Sequence, residues 1–199
     1  KIKFVTDSAA DIPAGLVQEL EIQVLPFHIA MGEQELQDGV DFTPQEFYRD
    51  LVAAPKIPTH SQLNPYTFQE CYEQAWREGY TDLIYTAINS KGSATCQNAV
   101  QARELFYDEF PQARDEMTIR VLDSRTYTMG YGWAVLQGAR MAREGKGAEE
   151  IAAYIQDWID HVGVVFAPYD LKFAKKSGRI SVAAAFVGEA LGLKPIMTF

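Results

Sequence analysis

The side chains of this chain that could do chemistry gather in a few short polar stretches, the densest being Asn89-Ser90-Lys91-Gly92-Ser93-Ala94-Thr95. Two serines and a threonine around a glycine supply hydroxyl donors. A turn from strand into helix adds free backbone N–H groups and the positive end of the helix dipole, so the stretch could seat an anion. The same residues also suit capping of the following helix, with Ser93 as the cap. A second polar stretch lies between Pro58 and Pro65 and contains Thr59, His60 and Ser61, and a third is Thr6-Asp7-Ser8. Of the three histidines, His28 falls in an expected strand and His161 at a helix end, which leaves His60 in a polar loop. A nucleophile, base and orienting acid can be drawn as Ser93, His60 and Asp7, the pattern of a serine hydrolase or acyl transferase, but nothing in their spacing fixes that geometry.

Common motifs are missing. No glycine-rich loop ends in Gly-Lys-Ser/Thr, and the glycines at 130, 132 and 138 fall inside a helical pattern, with the wrong spacing for a dinucleotide site. Ser93 lacks the flanking glycines of a nucleophile elbow. No paired-histidine helix motif for zinc is present, so neither a metal nor a cofactor is expected.

The elements that must position these groups alternate between strand and helix. Strands are expected at 1–6, 22–30, 82–88, 117–122 and 162–167, each a short apolar run. Helices are expected from Asp11-Ile12-Pro13 through Leu20, from Thr43 to Ala53, from Pro65 to Gly79, over 96–110, 129–143 and 148–161, and again over 182–191 with a helical turn at 171–176. Thr43-Pro44-Gln45-Glu46 fits a capping box with proline at the first helical position. The segments 32–41 and 57–65 read as loops. Alternation of this kind predicts an α/β fold, a mainly parallel sheet with helices on both faces. Ligands of such sheets sit beyond the carboxyl ends of the strands, where the three polar turns would meet.

The formal net charge of −9 argues against a nucleic-acid surface, which would carry a basic stripe. The densest basic patch, Lys172, Lys175, Lys176 and Arg179, reads either as a solvated face or as a surface for a partner or an anionic membrane. Cys71 and Cys96 fall in expected helices without metal-type spacing and are read as buried and reduced. With no apolar run long enough to span a bilayer and no signal-peptide pattern, a cytoplasmic protein is expected. Lys1 in place of an initiator Met suggests that the chain begins just inside the gene product or after a removed tag.

The order of the polar loops resembles the DegV family of bacterial fatty-acid-binding proteins. Thr6-Asp7-Ser8-Ala9-Ala10-Asp11-Ile12-Pro13 is similar to the family's opening signature, and Pro58 to Pro65 to its Pro-x-Thr-Ser-Gln-Pro-x-Pro loop. Asn89 to Ala99 resembles its Ser-Ser-x-Leu-Ser-Gly-Thr-Tyr-Gln-Ser-Ala loop, and Asp123-Ser124 the following strand end. Asp170-Leu171-Lys172, Gly178-Arg179-Ile180-Ser181 and Leu193-Lys194-Pro195-Ile196 complete the series. The resemblance implies a protein that holds one long-chain fatty acid, such as palmitate, and does no catalysis itself. It implies a separate kinase subunit that converts the bound acid to an acyl phosphate.

Carried over by position, the resemblance assigns the carboxylate contact to His60 and Ser93, with Thr59 and Ser61 beside them. Asp7, Ser8, Gly92, Thr95 and Arg179 are supporting candidates. His60 stands where the family has threonine, Leu63 and Asn64 replace a proline and a small residue, and Gly92 and Ala94 alter the Leu-Ser-Gly core. Asn89 for serine and Cys96 for tyrosine are milder changes. Residues 1–161 are expected to form the N-terminal domain. Residues 162–199 would begin a second α+β domain that the chain does not complete. The apolar stretches 183–187 and 191–196 would then be either a wall of the acyl channel or plain core. A phosphate- or anion-binding module on the Ser93 turn is a further alternative.

Overall fold

The computed structural model describes residues 1–54, 56–167 and 196–198. Four parallel strands form the central sheet in the order β2 (Gln23–Leu25), β1 (Ile2–Asp7), β6 (Asp82–Ala87), β7 (Thr118–Asp123). Side chains alternate across the strands, so each face receives its own set. Val5, Leu83, Tyr85 and Ile119 pack on one side against α3 (Pro65–Arg77) and α4 (Thr95–Glu109). Phe4 and Ile84 pack on the other side against α6 (Met129–Arg143) and α7 (Ala148–His161). This is the expected α/β architecture with helices on both faces.

Local chemistry explains the helix ends. The capping box closes α2 (Pro44–Ala53): Thr43 Oγ1 accepts from the Glu46 N–H at 3.3 Å, and a Glu46 carboxylate oxygen accepts from the Thr43 N–H at 2.7 Å. Asn64 caps α3 by accepting from the Thr67 N–H at 3.0 Å, with Pro65 in the first turn. Both α6 and α7 run over the residues expected from their apolar spacing.

Several elements depart from the expectations. The run 22–30 is two strands, not one: β2 joins the parallel sheet, and after Pro26-Phe27 the chain enters β3 (His28–Met31) of a separate antiparallel sheet. Proline cannot donate to a ladder, and the break falls at that residue. Both expected loops contain strands, β4 (Gln34–Gln37) and β5 (Thr59–Ser61), which pair with β3 on either side. His28 therefore lies exposed in a central strand. The first helix begins later than expected, at Ala14 (α1, Ala14–Glu19), after a 3₁₀ turn over Ser8–Ala10 and a left-handed residue, Asp11, at φ 51°. A one-turn helix, α5 (Ala113–Glu116), precedes β7. The last expected strand shortens to β8 (Val165–Phe166), paired antiparallel with β9 (Met197–Thr198). The expected helical segments over 171–176 and 182–191, the basic cluster and Arg179 lie outside the described residues.

Candidate ligand-binding site

Strand order places the site. The chain leaves β1 for β2 on one side, while β6 and β7 lie on the other, so the sheet's switch point falls between β1 and β6. At their carboxyl ends the turns after Asp7 and Ala87 diverge and open a crevice.

Asp7 anchors the floor of that crevice. Its side chain is fully buried at the end of β1 and accepts hydrogen bonds from the Tyr85 hydroxyl at 2.9 Å, the Ile88 N–H at 2.9 Å and the Tyr131 hydroxyl at 2.6 Å. Tyr85 comes from β6 and Tyr131 from α6, so one carboxyl ties the sheet to a helix layer and fixes the start of the Ser93 turn. Burial pushes the Asp7 carboxyl above the usual range, and the hydrogen bonds from Tyr131, Ile88, Tyr85 and Ala9 oppose that shift. Ser8 also has a structural task, accepting from the Phe27 N–H at 3.1 Å.

The turn between β6 and α4 is organised differently from a bare anion seat. The Lys91 N–H donates to Asn89 Oδ1 at 2.9 Å, and the Gly92 and Ser93 N–H groups donate to the Asn89 carbonyl at 3.1 and 3.2 Å. Those backbone donors are used within the turn. Ser93 is not the cap residue either: Ala94 occupies that position without a side-chain bond, and Ser93 Oγ accepts from the Thr95 N–H at 3.3 Å. What the turn offers a ligand is the Ser93 hydroxyl.

Thr95 determines how that hydroxyl is aimed. Its Oγ1, wholly buried, accepts from the Leu63 N–H at 3.3 Å and lies 2.8 Å from Ser93 Oγ. If Thr95 donates to Ser93, every buried hydrogen has an acceptor, and the proton on Ser93 remains for a ligand. The reverse direction would strand the Thr95 hydrogen in a dry site. The chain Leu63 N–H to Thr95 to Ser93 therefore points one donor outward. Asn98 Nδ2 steadies it by donating to the Leu63 carbonyl at 2.7 Å.

Ser93 opens on a cavity of about 330 Å³. Ala9, Phe27, Ile29, Phe47, Pro58, Ile88 and Tyr127 give it mainly apolar walls, and Thr59, His60, Ser93 and Asp38 supply polar groups. The small antiparallel sheet delivers His60: it pairs with Ile29 in register, and its ring meets Phe27 edge-on at 6.3 Å between centroids. His60, Ser93, Thr59 and Gly92, distant in sequence, thus share one cavity. Ser61 is exposed on β5 and does not line it, nor do Asp7, Ser8 and Thr95; Asp7 and Ser8 border a second cavity, and Thr95 supports Ser93 from a buried position. Phe27, Asp38, Phe47 and Tyr127 were not foreseen from sequence. A larger cavity of about 700 Å³, lined by α1 and the loop 38–44, meets the first at Asp38. Among the described residues no three His, Cys, Asp or Glu side chains are grouped to hold a metal ion, and no helix is long and apolar enough to cross a membrane.

A parallel α/β sheet thus carries at its switch point a largely apolar cavity, polar at one wall, with the shape of a site for a small amphiphilic ligand. The chain belongs to the DegV family: the model described as "Uncharacterised protein, DegV family" matches residues 1–199. A DegV domain-containing protein of Caldanaerobacter subterraneus subsp. tengcongensis is 36% identical over 198 residues, which span 100% of this chain and 67% of that one. Among solved structures, a fatty-acid-binding DegV family protein from Thermus thermophilus is 31% identical with a TM-score of 0.81, matching all of this chain and 68% of its own. DegV from Bacillus subtilis, described as a fatty acid binding protein, is 26% identical with a TM-score of 0.84 and is covered over 67% of its length.

Proposed function

We propose that this protein binds one long-chain fatty acid, such as palmitate, with the carboxylate at Ser93 and His60 and the tail along apolar walls. The observation that carries this is the cavity that joins Ser93 and His60 to Phe27, Ile29, Phe47 and Ile88. A carboxylate needs donors, which Ser93 and the His60 ring supply, and hydrogen bonds to a charged group are the stronger kind. The tail gains about 0.8 kcal/mol per buried methylene. Asp38 disfavours an anion beside it, so the head group belongs at the Ser93 and His60 side. Thr59 adjoins the head group, and Ser61 and Arg179 are further candidates. The fatty-acid binding described for the Thermus and Bacillus relatives supports the same ligand class.

The protein acts as a carrier and not as an enzyme, presenting the acid to a separate kinase subunit for acyl-phosphate formation in the cytoplasm, with transient contact to a membrane surface. Against a serine hydrolase stands Asp7, whose oxygens are taken by Tyr85, Tyr131 and Ile88. Against a phosphate-binding turn stands Asn89, which already occupies the N–H groups of Lys91, Gly92 and Ser93.

Native mass spectrometry of the purified protein, together with palmitate titration, tests the proposal. A co-purifying mass of a fatty acid and saturable palmitate binding are expected. No acid and no palmitate binding would overturn it.

A further inference from the structure

Gly92 has a constraint that its backbone alone does not explain. A Cβ added there would lie 2.1 Å from the Tyr127 hydroxyl oxygen and 3.3 Å from the ring carbon that bears it. No side chain fits at position 92 while Tyr127 stays in place. The phenol fills the space of the missing side chain, against the residue next to Ser93, and both residues line the cavity.

The position of Tyr127 is itself imposed. On one side the Thr126 carbonyl accepts from the Asn89 N–H at 3.1 Å, and on the other the Thr128 N–H donates to the Ala9 carbonyl at 3.0 Å. The segment is thereby stitched to both turns that flank the crevice. Thr128 has φ 56°, a region costly for a β-branched residue, so its neighbours hold this segment against local preference. The Lys91, Gly92 and Ser93 N–H groups beside Tyr127 are consumed by Asn89, so a head group there draws on side-chain donors instead of these three.

We infer that Tyr127 is a further head-group contact, its hydroxyl donating to the ligand carboxylate beside Ser93, and that Gly92 is the counterpart that admits it. Together the two positions set selectivity for an acid over a neutral chain of the same length. The inference rests on the fatty-acid reading above.

The experiment compares palmitate with hexadecanol in titrations of the purified protein and of Tyr127→Phe, Gly92→Ala and the double variant. Tyr127→Phe should weaken palmitate about ten-fold, equivalent to about 1.4 kcal/mol, and lower the acid-to-alcohol preference by a similar factor. A packing role alone would weaken both ligands equally. Gly92→Ala should show the same loss in the native background by displacing the hydroxyl. Added to Tyr127→Phe it should have a smaller further effect, because without the hydroxyl the nearest ring atom stands 3.3 Å from the new methyl group and the ring need give only by a few tenths of an ångström. Thermal melts of each variant check that it folds. Unchanged palmitate affinity and preference in Tyr127→Phe, with the native protein binding palmitate, would overturn this inference and leave the fatty-acid reading standing. Failure of the native protein to bind palmitate would remove both.

Discussion

Thr95→Val tests the hydrogen-bond chain that aims Ser93. Valine keeps the shape of threonine but has no hydroxyl, so two effects should appear together. The buried Leu63 N–H loses its 3.3 Å acceptor, and an unsatisfied buried donor costs about 1–3 kcal/mol. For a chain of this length each kcal/mol lowers Tm by about 2–4 °C, so a fall of about 2–12 °C is expected. Ser93 also loses the 2.8 Å partner that orients its proton. Loss of that orientation should cost about 0.5–1.5 kcal/mol of palmitate affinity, or about 2- to 12-fold. Ser93→Ala provides the contrast, since it leaves the Leu63 to Thr95 bond intact. It should weaken palmitate by about ten-fold or more, a larger loss than in Thr95→Val, and it should lower Tm by a similar amount, because the buried Thr95 hydroxyl hydrogen loses its acceptor. Scanning calorimetry and titration calorimetry on the same samples separate the two quantities. If Thr95→Val lowers Tm but leaves affinity at the native value, Thr95 does not orient Ser93, and the outward-aimed donor is refuted.

The buried groups make predictions of their own. Burial pushes the Cys71 thiol up to about 12 and the Cys96 thiol up to about 11. A thiol reagent at about pH 8 should therefore find almost no thiolate in the native protein and should titrate both cysteines in denaturant; rapid native labelling would contradict this. Asp7→Asn cannot accept from three donors without aiming its NH₂ at one of them, and urea unfolding should show a loss of about 1–3 kcal/mol. Because burial raises the Asp7 carboxyl, its contribution to stability is largest below the ordinary carboxylate value of about 3.9 and declines as pH rises toward the folded value. The stability gap between native protein and Asp7→Asn should accordingly narrow with rising pH, and a widening gap would refute the raised value. At Gly132 a Cβ would stand 2.4 Å from the Ala10 carbonyl oxygen, so Gly132→Ala should force α6 away from the 3₁₀ turn and cost about 1–3 kcal/mol. A thermal melt that matches the native one would show that the turn yields freely.

The parallel sheet and its two helix layers were legible because their signals are local. Apolar spacing located α6 and α7, and the Thr43 and Asn64 caps marked two helix starts. The antiparallel sheet was not legible. Gln34–Gln37 and Thr59–Ser61 lack alternating apolar residues, and backbone bonding to β3, which no side-chain pattern announces, makes them strands. At the site, Ser93 and His60 stood out as polar residues in turns, but their meeting depends on that unseen sheet. The consumption of the turn's N–H groups by Asn89 was equally hidden, because an asparagine in a turn has several local bonding options. Tyr127 gave only an indirect sign: the glycine at position 92, where the family motif has leucine, is the residue its hydroxyl requires.

A crystal structure of the protein with palmitate tests the head-group assignment most directly. Density for the acid should end with a carboxylate oxygen about 2.5–2.9 Å from Ser93 Oγ and within hydrogen-bond reach of the His60 ring, the tail leaving along Phe27, Ile29 and Ile88. A carboxylate bound away from Ser93, or a tail that fills the place assigned here to the head group, would contradict it.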